Sequence, residues 1–189
     1  MQFWLIVSIF VGPIAAALLL YLALPSLRPS VTTNYGALIN PARPLPDLRL
    51  VDADGKPAPL ADLRGKWDLV YLGGQDCDEA CERRLILIRQ VRIAMGKDLS
   101  RIERVYIASD VAGLAAAKQK LEAQHPGLRF YADAGVAGQR AADFFRPADP
   151  HALYLVDPHG NWLMAYAGDV DPKGLYRDLK KLFKISVIG

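Results

Sequence analysis

The chain has 189 residues, with 23 Lys and Arg against 20 Asp and Glu and a formal net charge of +3. So small a cationic excess gives no argument for a nucleic-acid partner. The roughly 145 residues from Pro44 onward suit one domain of ordinary size with its own core.

Phe3 to Leu24 runs about twenty-two residues without a charge, enough at roughly 1.5 Å per residue to cross a hydrocarbon core of about 30 Å. A cleavable signal peptide is the competing reading, but its apolar core is about 7 to 15 residues long and follows a basic segment. No Lys or Arg precedes this run, and Tyr21-Leu-Ala-Leu-Pro25 is a poor cleavage site. Residues 1–25 therefore read as an uncleaved single-span membrane anchor, bent or loosened at Gly12-Pro13. Arg28 and Arg43 follow the span, so the positive-inside rule points the wrong way for an exported domain. Topology is taken instead from the cysteines, whose chemistry suits a bacterial periplasm, with the anchor in the inner membrane.

Residues 26–46 carry Pro29, Pro41, Pro44 and Pro46 and read as an extended, semi-rigid spacer. Tyr35, Leu38 and Ile39 within it are expected to pack on the chain's own domain, residues 47–189. In that domain the alternation of Asp47 to Asp52 predicts a strand entering an Asp54-Gly55 turn, and Leu69 to Leu72 a second strand. Apolar Leu85, Ile86, Ile88, Val91, Ile93 and Ala94 predict a helix from Glu79 to about Met95, ended by Gly96. Arg83, Arg84, Arg89 and Arg92 on it read as a solvated basic face, with an acidic docking partner as the sharper alternative. Further on, strands are predicted at 104–108 and 153–156, a short edge segment at 129–131, and a hairpin partner at 162–166. Helices are predicted at 112–124, 136–145 and 172–183. Strands interleaved with helices predict an α/β fold with a mixed sheet covered on both faces.

The two cysteines, Cys77 and Cys81, follow the apolar strand and precede the helix. A helix start offers unpaired N–H groups and partial positive charge that stabilise a thiolate, so a redox or metal site is expected. The alternative is two small apolar residues on one helix face. The polar neighbours Gln75, Asp76, Asp78 and Glu79 argue for accessible thiols instead. Those acids disfavour a thiolate and favour an arriving cation, while the helix start offsets this by about 0.3 to 1 kcal/mol.

These residues resemble the Sco/SenC-type thioredoxin-like proteins, the membrane-anchored factors that help assemble the copper centre of cytochrome c oxidase. The likeness is carried by Leu45 to Gly55, Leu63-Arg-Gly-Lys66, Leu69 to Gly73, the Cys77-x-x-x-Cys81 pair, Val105 to Asp110 and Leu153 to Gly160. It implies a thioredoxin-like fold, a mixed central sheet flanked by helices, behind one N-terminal transmembrane helix. In this family two cysteines and a later histidine bind copper, which implies Cys77, Cys81 and His151 as ligands for Cu(I). Sco proteins usually have prolines around the cysteines, where this chain has Asp76, Asp78, Glu79 and Glu82. They also set the histidine about two residues further ahead of the strand, where Asp149 stands here, while His151 falls near the cis-proline position of thioredoxin-like reductases.

Soft thiolates with one imidazole suit Cu(I). The same two cysteines could act as catalytic thiols, the more exposed Cys77 attacking a partner disulfide and Cys81 resolving it. The pair must be reduced before it takes Cu(I), so the two chemistries are linked. The resemblance points to the copper-bearing subunit of cytochrome c oxidase, or another assembly factor, as client. A general thiol-disulfide oxidoreductase without metal, and a membrane-tethered docking subunit with a structural disulfide, are the alternatives. His125 and His159 read as solvated turn residues.

Overall fold

The computed structural model describes residues 2–23, 33–58, 63–147, 149–186 and 188. Two compact units emerge, Met1–Thr33 and Asn34–Gly189. The first holds helix α1 (Gln2–Ala23), 22 residues with Pro13 inside it. Among the described residues no helix is long and apolar enough to cross a membrane. The side chains of α1 are described without a break only from Ile9 onward, so the expected span over Phe3 to Leu24 rests on the sequence.

The second unit is one eight-stranded mixed sheet in the order β1-β8-β7-β4-β5-β6-β2-β3. Its strands are β1 (Ala37–Pro44), β2 (Leu50–Val51), β3 (Pro57–Ala58), β4 (Trp67–Gly73), β5 (Ile102–Ala108), β6 (Leu128–Asp133), β7 (Leu153–Val156) and β8 (Asn161–Tyr166). The helices of this unit are α2 (Glu79–Ala94), α3 (Val111–Leu121), α4 (Ala141–Phe145) and α5 (Pro172–Ile185). β4, β5 and β6 run parallel through the crossovers of α2 and α3, while β7 and β8 are antiparallel. Successive β4 side chains point to opposite faces. Leu69 and Tyr71 join α2, α3 and α5 through Leu85, Ile88, Leu114, Leu121, Leu175 and Leu179. Val70 joins the second face with Leu48, Leu63, Phe145, Tyr154 and Trp162.

Three elements differ from expectation. Ala37–Pro44, inside the stretch read as a spacer, is an edge strand paired with β8. Its lead-in is tied to α5, where Asp178 accepts from the amides of Tyr35 (2.8 Å) and Gly36 (3.0 Å). Residues 26–32 of the spacer lie outside the described residues. Second, β6 is no edge segment: it sits between β5 and β2, because the crossover of α3 carries it inward and the short β2–β3 ribbon covers it. Third, the helix predicted over 136–145 is shortened to Ala141–Phe145. The Asp133 carboxylate draws in the amides of Gly135 and Ala141, holding the intervening chain as a loop.

Candidate redox and metal site

The site lies at the carboxyl end of β4, where the chain crosses to β5 on one side and meets β7 on the other. This is a switch point of the kind at which open α/β sheets place their ligands. Gly73 closes the strand against the Tyr106 ring, where an added Cβ would fall 2.0 Å from the phenol oxygen. Cys77 then precedes Asp78, the N-cap of α2, whose carboxylate accepts from the Cys81 amide at 2.8 Å. That amide holds the Asp78 carboxyl below the ordinary carboxylate range, with the charge of His151 adding to the effect. Cys77 and Cys81 therefore do not share a helix: one stands outside its N-terminus and the other in its first turn. They are joined as a disulfide, with Cα atoms 5.3 Å apart.

Both cysteines are only 3% exposed, which corrects the expectation of accessible thiols and of a more exposed Cys77. The polar loop faces outward while both sulfurs turn into the apolar cluster that also holds Tyr71, Tyr106 and Leu153. Lys120 on α3 braces the arrangement, donating to the Cys77 carbonyl at 2.7 Å and pairing with Glu82.

His151 reaches the same region from the loop before β7. Its Nδ1 lies 3.0 Å from the Tyr71 hydroxyl, and Tyr71, 2% exposed, belongs to the cysteines' core cluster. Asp149 fixes the backbone beneath the ring, accepting from the His151 amide (2.8 Å) and from Gly168. Those two amides hold the Asp149 carboxyl below its ordinary range. Burial, and less strongly Tyr106, pushes the Tyr71 phenol up, so it stays protonated at neutral pH. Asp149 thus orients the loop from which His151 projects.

Residues 67–186 match a family described as "Transmembrane-like, thioredoxin-like, C-terminal domain". The chain belongs to this thioredoxin-like family. The domain is also similar to the mitochondrial SCO2 homolog of Mus musculus, 28% identical over 133 residues, 60% of this chain and 52% of that protein. It spans 52% and 40% of the length of the two curated relatives it matches. Yeast Sco1 with copper bound has the same fold at a TM-score of 0.62 and 21% identity, covering 77% of this chain and 91% of that one. BsSco, described as a Sco-family cytochrome c oxidase assembly protein with a disulfide switch, aligns at a TM-score of 0.57 and 16% identity. That match covers 77% of this chain and 96% of the other. The expected resemblance to Sco-type thioredoxin-like proteins holds, and copper is a metal that proteins of this fold carry.

In this thioredoxin-like domain the donor chemistry suits Cu(I) only after reduction. Among the described residues no group of three His, Cys, Asp or Glu side chains is arranged to hold a metal, and both sulfurs are spent on each other. Reduction would release two soft donors, and the Nδ1 contact of His151 with Tyr71 leaves Nε2 for a third.

The acidic surroundings are quieter than the sequence implied. Asp78 caps the helix, Glu79 pairs with Arg83 and Glu82 with Lys120, so of the four acids beside the cysteines Asp76 alone has neither an ion pair nor a capping bond among the described residues. The basic face of α2 also dissolves into separate contacts. Arg89 donates to the Gln124 carbonyl and Arg92 to the Ile102 carbonyl, and of the four Arg83 alone is exposed, paired with Glu79. Arg84 turns toward the site, close enough for its charge to favour the ionised forms of Tyr71 and Asp149, and its Nη1 is buried with no hydrogen-bond partner among the described residues. Tyr71, Asp149, Lys120 and Arg84 had no part in the sequence-derived site. Arg84 carried a signal, standing three residues beyond Cys81 on one helix face. His159 is an exposed turn residue, but His125 is 1% exposed, with neither ring nitrogen partnered among the described residues. The His-Pro-Gly turn is closed by backbone bonds from His125 to Leu121 at the end of α3 and from Leu128 back to His125.

Proposed function

We propose that this chain is a membrane-anchored, thioredoxin-like assembly factor for cytochrome c oxidase that handles Cu(I) through Cys77, Cys81 and His151. The observation that carries the reading is a vicinal cysteine pair at the mouth of β4 with a histidine bonded to the same core through Tyr71. Copper is cargo here: the reduced thiolates and the His151 imidazole would hold it, and a client's copper site would take it. Helix α1 would tether the unit to the bacterial inner membrane, its 22 residues spanning about 33 Å, with the domain in the periplasm.

A second reading uses the same cysteines as a reductant. The disulfide present in this structure is the oxidised product of that half-reaction. The reduced dithiol would pass two electrons and two protons to a client disulfide, through a mixed disulfide that the second thiol resolves. With both sulfurs buried, a local opening of the structure would have to precede a client's access to them. A tethered docking subunit with a merely structural disulfide is the third reading.

The deciding experiment is an anaerobic Cu(I) titration of the reduced domain, residues 26–189, against a competing chelator, repeated with His151→Ala and Cys81→Ser. One-to-one binding that both substitutions abolish is expected. Binding no tighter than in the Cys81→Ser control overturns the copper reading and leaves the reductant, which the reduction potential of the pair then tests.

A further inference from the structure

Away from the cysteines, a cavity of about 550 Å3 opens between the chain entering β2 and the α4 segment, within the range of about 300 to 1,000 Å3 usual for small-molecule sites. Its walls carry Arg43, Arg49, Arg140 and Arg146, together with Asp47 and Asp143. None of the four arginines has an ion pair among the described residues.

Several of these groups are held in position. The Arg43 guanidinium stacks 4.8 Å over the Phe144 ring and 5.5 Å over Trp162. Arg140 donates through Nε to the Gly135 carbonyl, and its terminal nitrogens have no hydrogen-bond partner among the described residues. Asp143 uses one oxygen to bind the amides of Gly138 and Arg140. Arg146 has φ 46°, the one positive φ outside glycine among the described residues. L side chains rarely adopt this conformation, and glycine would take it freely. A guanidinium kept at a strained position on a cavity wall points from an observed outlier to a role.

We propose that this cavity binds a phosphate ester. The four guanidinium forks match phosphate oxygens, and four cations less two carboxylates leave a charge of +2 in the lining, opposite to the roughly −1.5 to −2 of a phosphomonoester. Asp47 and Asp143 then accept from a hydroxyl or ammonium group elsewhere on the same molecule. An acidic peptide fits less well, because its carboxylates would be set against those two aspartates. The phosphate ester has two sources, a soluble metabolite or a phospholipid headgroup.

The test is calorimetric titration of the full chain in non-ionic detergent at low salt with glycerol phosphate as probe. The wild type is expected to bind at one site, with affinity falling at least tenfold in Arg49→Gln and in Arg146→Gly. The second substitution removes the charge at a backbone position that glycine favours, so its unfolding temperature should hold or rise, separating lost binding from lost fold. Displacement of the probe by phosphatidylglycerol mixed into the micelles, and not by phosphatidylcholine, assigns the headgroup; failure of both lipids to displace it assigns the soluble ester. No binding heat with glycerol phosphate, unchanged affinity in both variants, or binding of a glutamate-rich peptide alone overturns the proposal.

Discussion

Asp68 offers the sharpest quantitative test of the packing described above. It sits mid-sheet on β4, 1% exposed, and neither carboxylate oxygen has a hydrogen-bond partner among the described residues. Burial dominates its chemistry, and although Arg129 and Lys66 oppose the effect, its pKa is pushed up from 3.8 to about 8. The folded protein therefore keeps a proton that the unfolded chain releases above about pH 4. Stability contributed by this group is intact below pH 4, falls as pH rises toward 8, and levels off beyond. At about 1.36 kcal/mol per unit, the loss between pH 5 and pH 7 is about 2.7 kcal/mol. Asp68→Asn removes the titration while keeping the shape, so its advantage over wild type should grow by about 2 to 3 kcal/mol across that interval. Urea unfolding of residues 34–189, wild type and variant, at pH 5, 6, 7 and 8 reads this directly, because every other titrating group cancels in the difference. A variant-minus-wild-type difference that stays flat from pH 5 to 8 refutes the reasoning and means that Asp68 is ionised and partnered in the native state.

Other consequences follow from the site and its surroundings. Opening the Cys77–Cys81 disulfide releases a loop of about five residues, so in the chain-entropy description reduction should cost about 2 kcal/mol, read as a lower urea midpoint in the presence of a phosphine reductant. Tyr71→Phe removes the hydroxyl that orients His151 and should weaken Cu(I) binding by about 10- to 100-fold without approaching the loss in His151→Ala; unchanged affinity would detach Tyr71 from the site. His125, whose pKa burial, Arg89 and Arg104 hold below the ordinary histidine range, stays neutral in the fold while the unfolded chain takes a proton. The stability contributed by this group should therefore fall as pH drops below about 6.5, so the difference in unfolding temperature between His125→Gln and wild type should shift in the variant's favour from pH 7 to pH 5. Tyr106→Phe deletes a buried hydroxyl that has no partner among the described residues and should leave stability unchanged or raise it by up to about 1 kcal/mol.

The strands and helices that bury an uninterrupted apolar stripe were legible along the chain. α2, α5, β5, β7 and the β7–β8 hairpin follow from periodicity and from Asp-Pro-His-Gly turn chemistry, which act over a few residues. The cysteine pair was legible as a site because its strand-to-helix setting is local, as is the Asp78 cap that fixes Cys81. What lay beyond the sequence depends on partners far along the chain. Ala37–Pro44 reads as a proline-rich spacer until β8 supplies its hydrogen bonds and Asp178 anchors its start. The arginines of α2 read as one solvated face until separate carbonyls and the Tyr71–Asp149 region draw them apart. The sulfurs' burial, the neutralised acids and the link from Tyr71 to His151, 80 positions apart, exist only where the sheet brings β4, α3 and the loop before β7 together. Sequence alone therefore determined which residues form the candidate site, because residue type and local spacing set intrinsic reactivity. Tertiary structure decided their exposure, charge balance and mutual orientation, because those quantities arise from long-range packing that no short window of the chain contains.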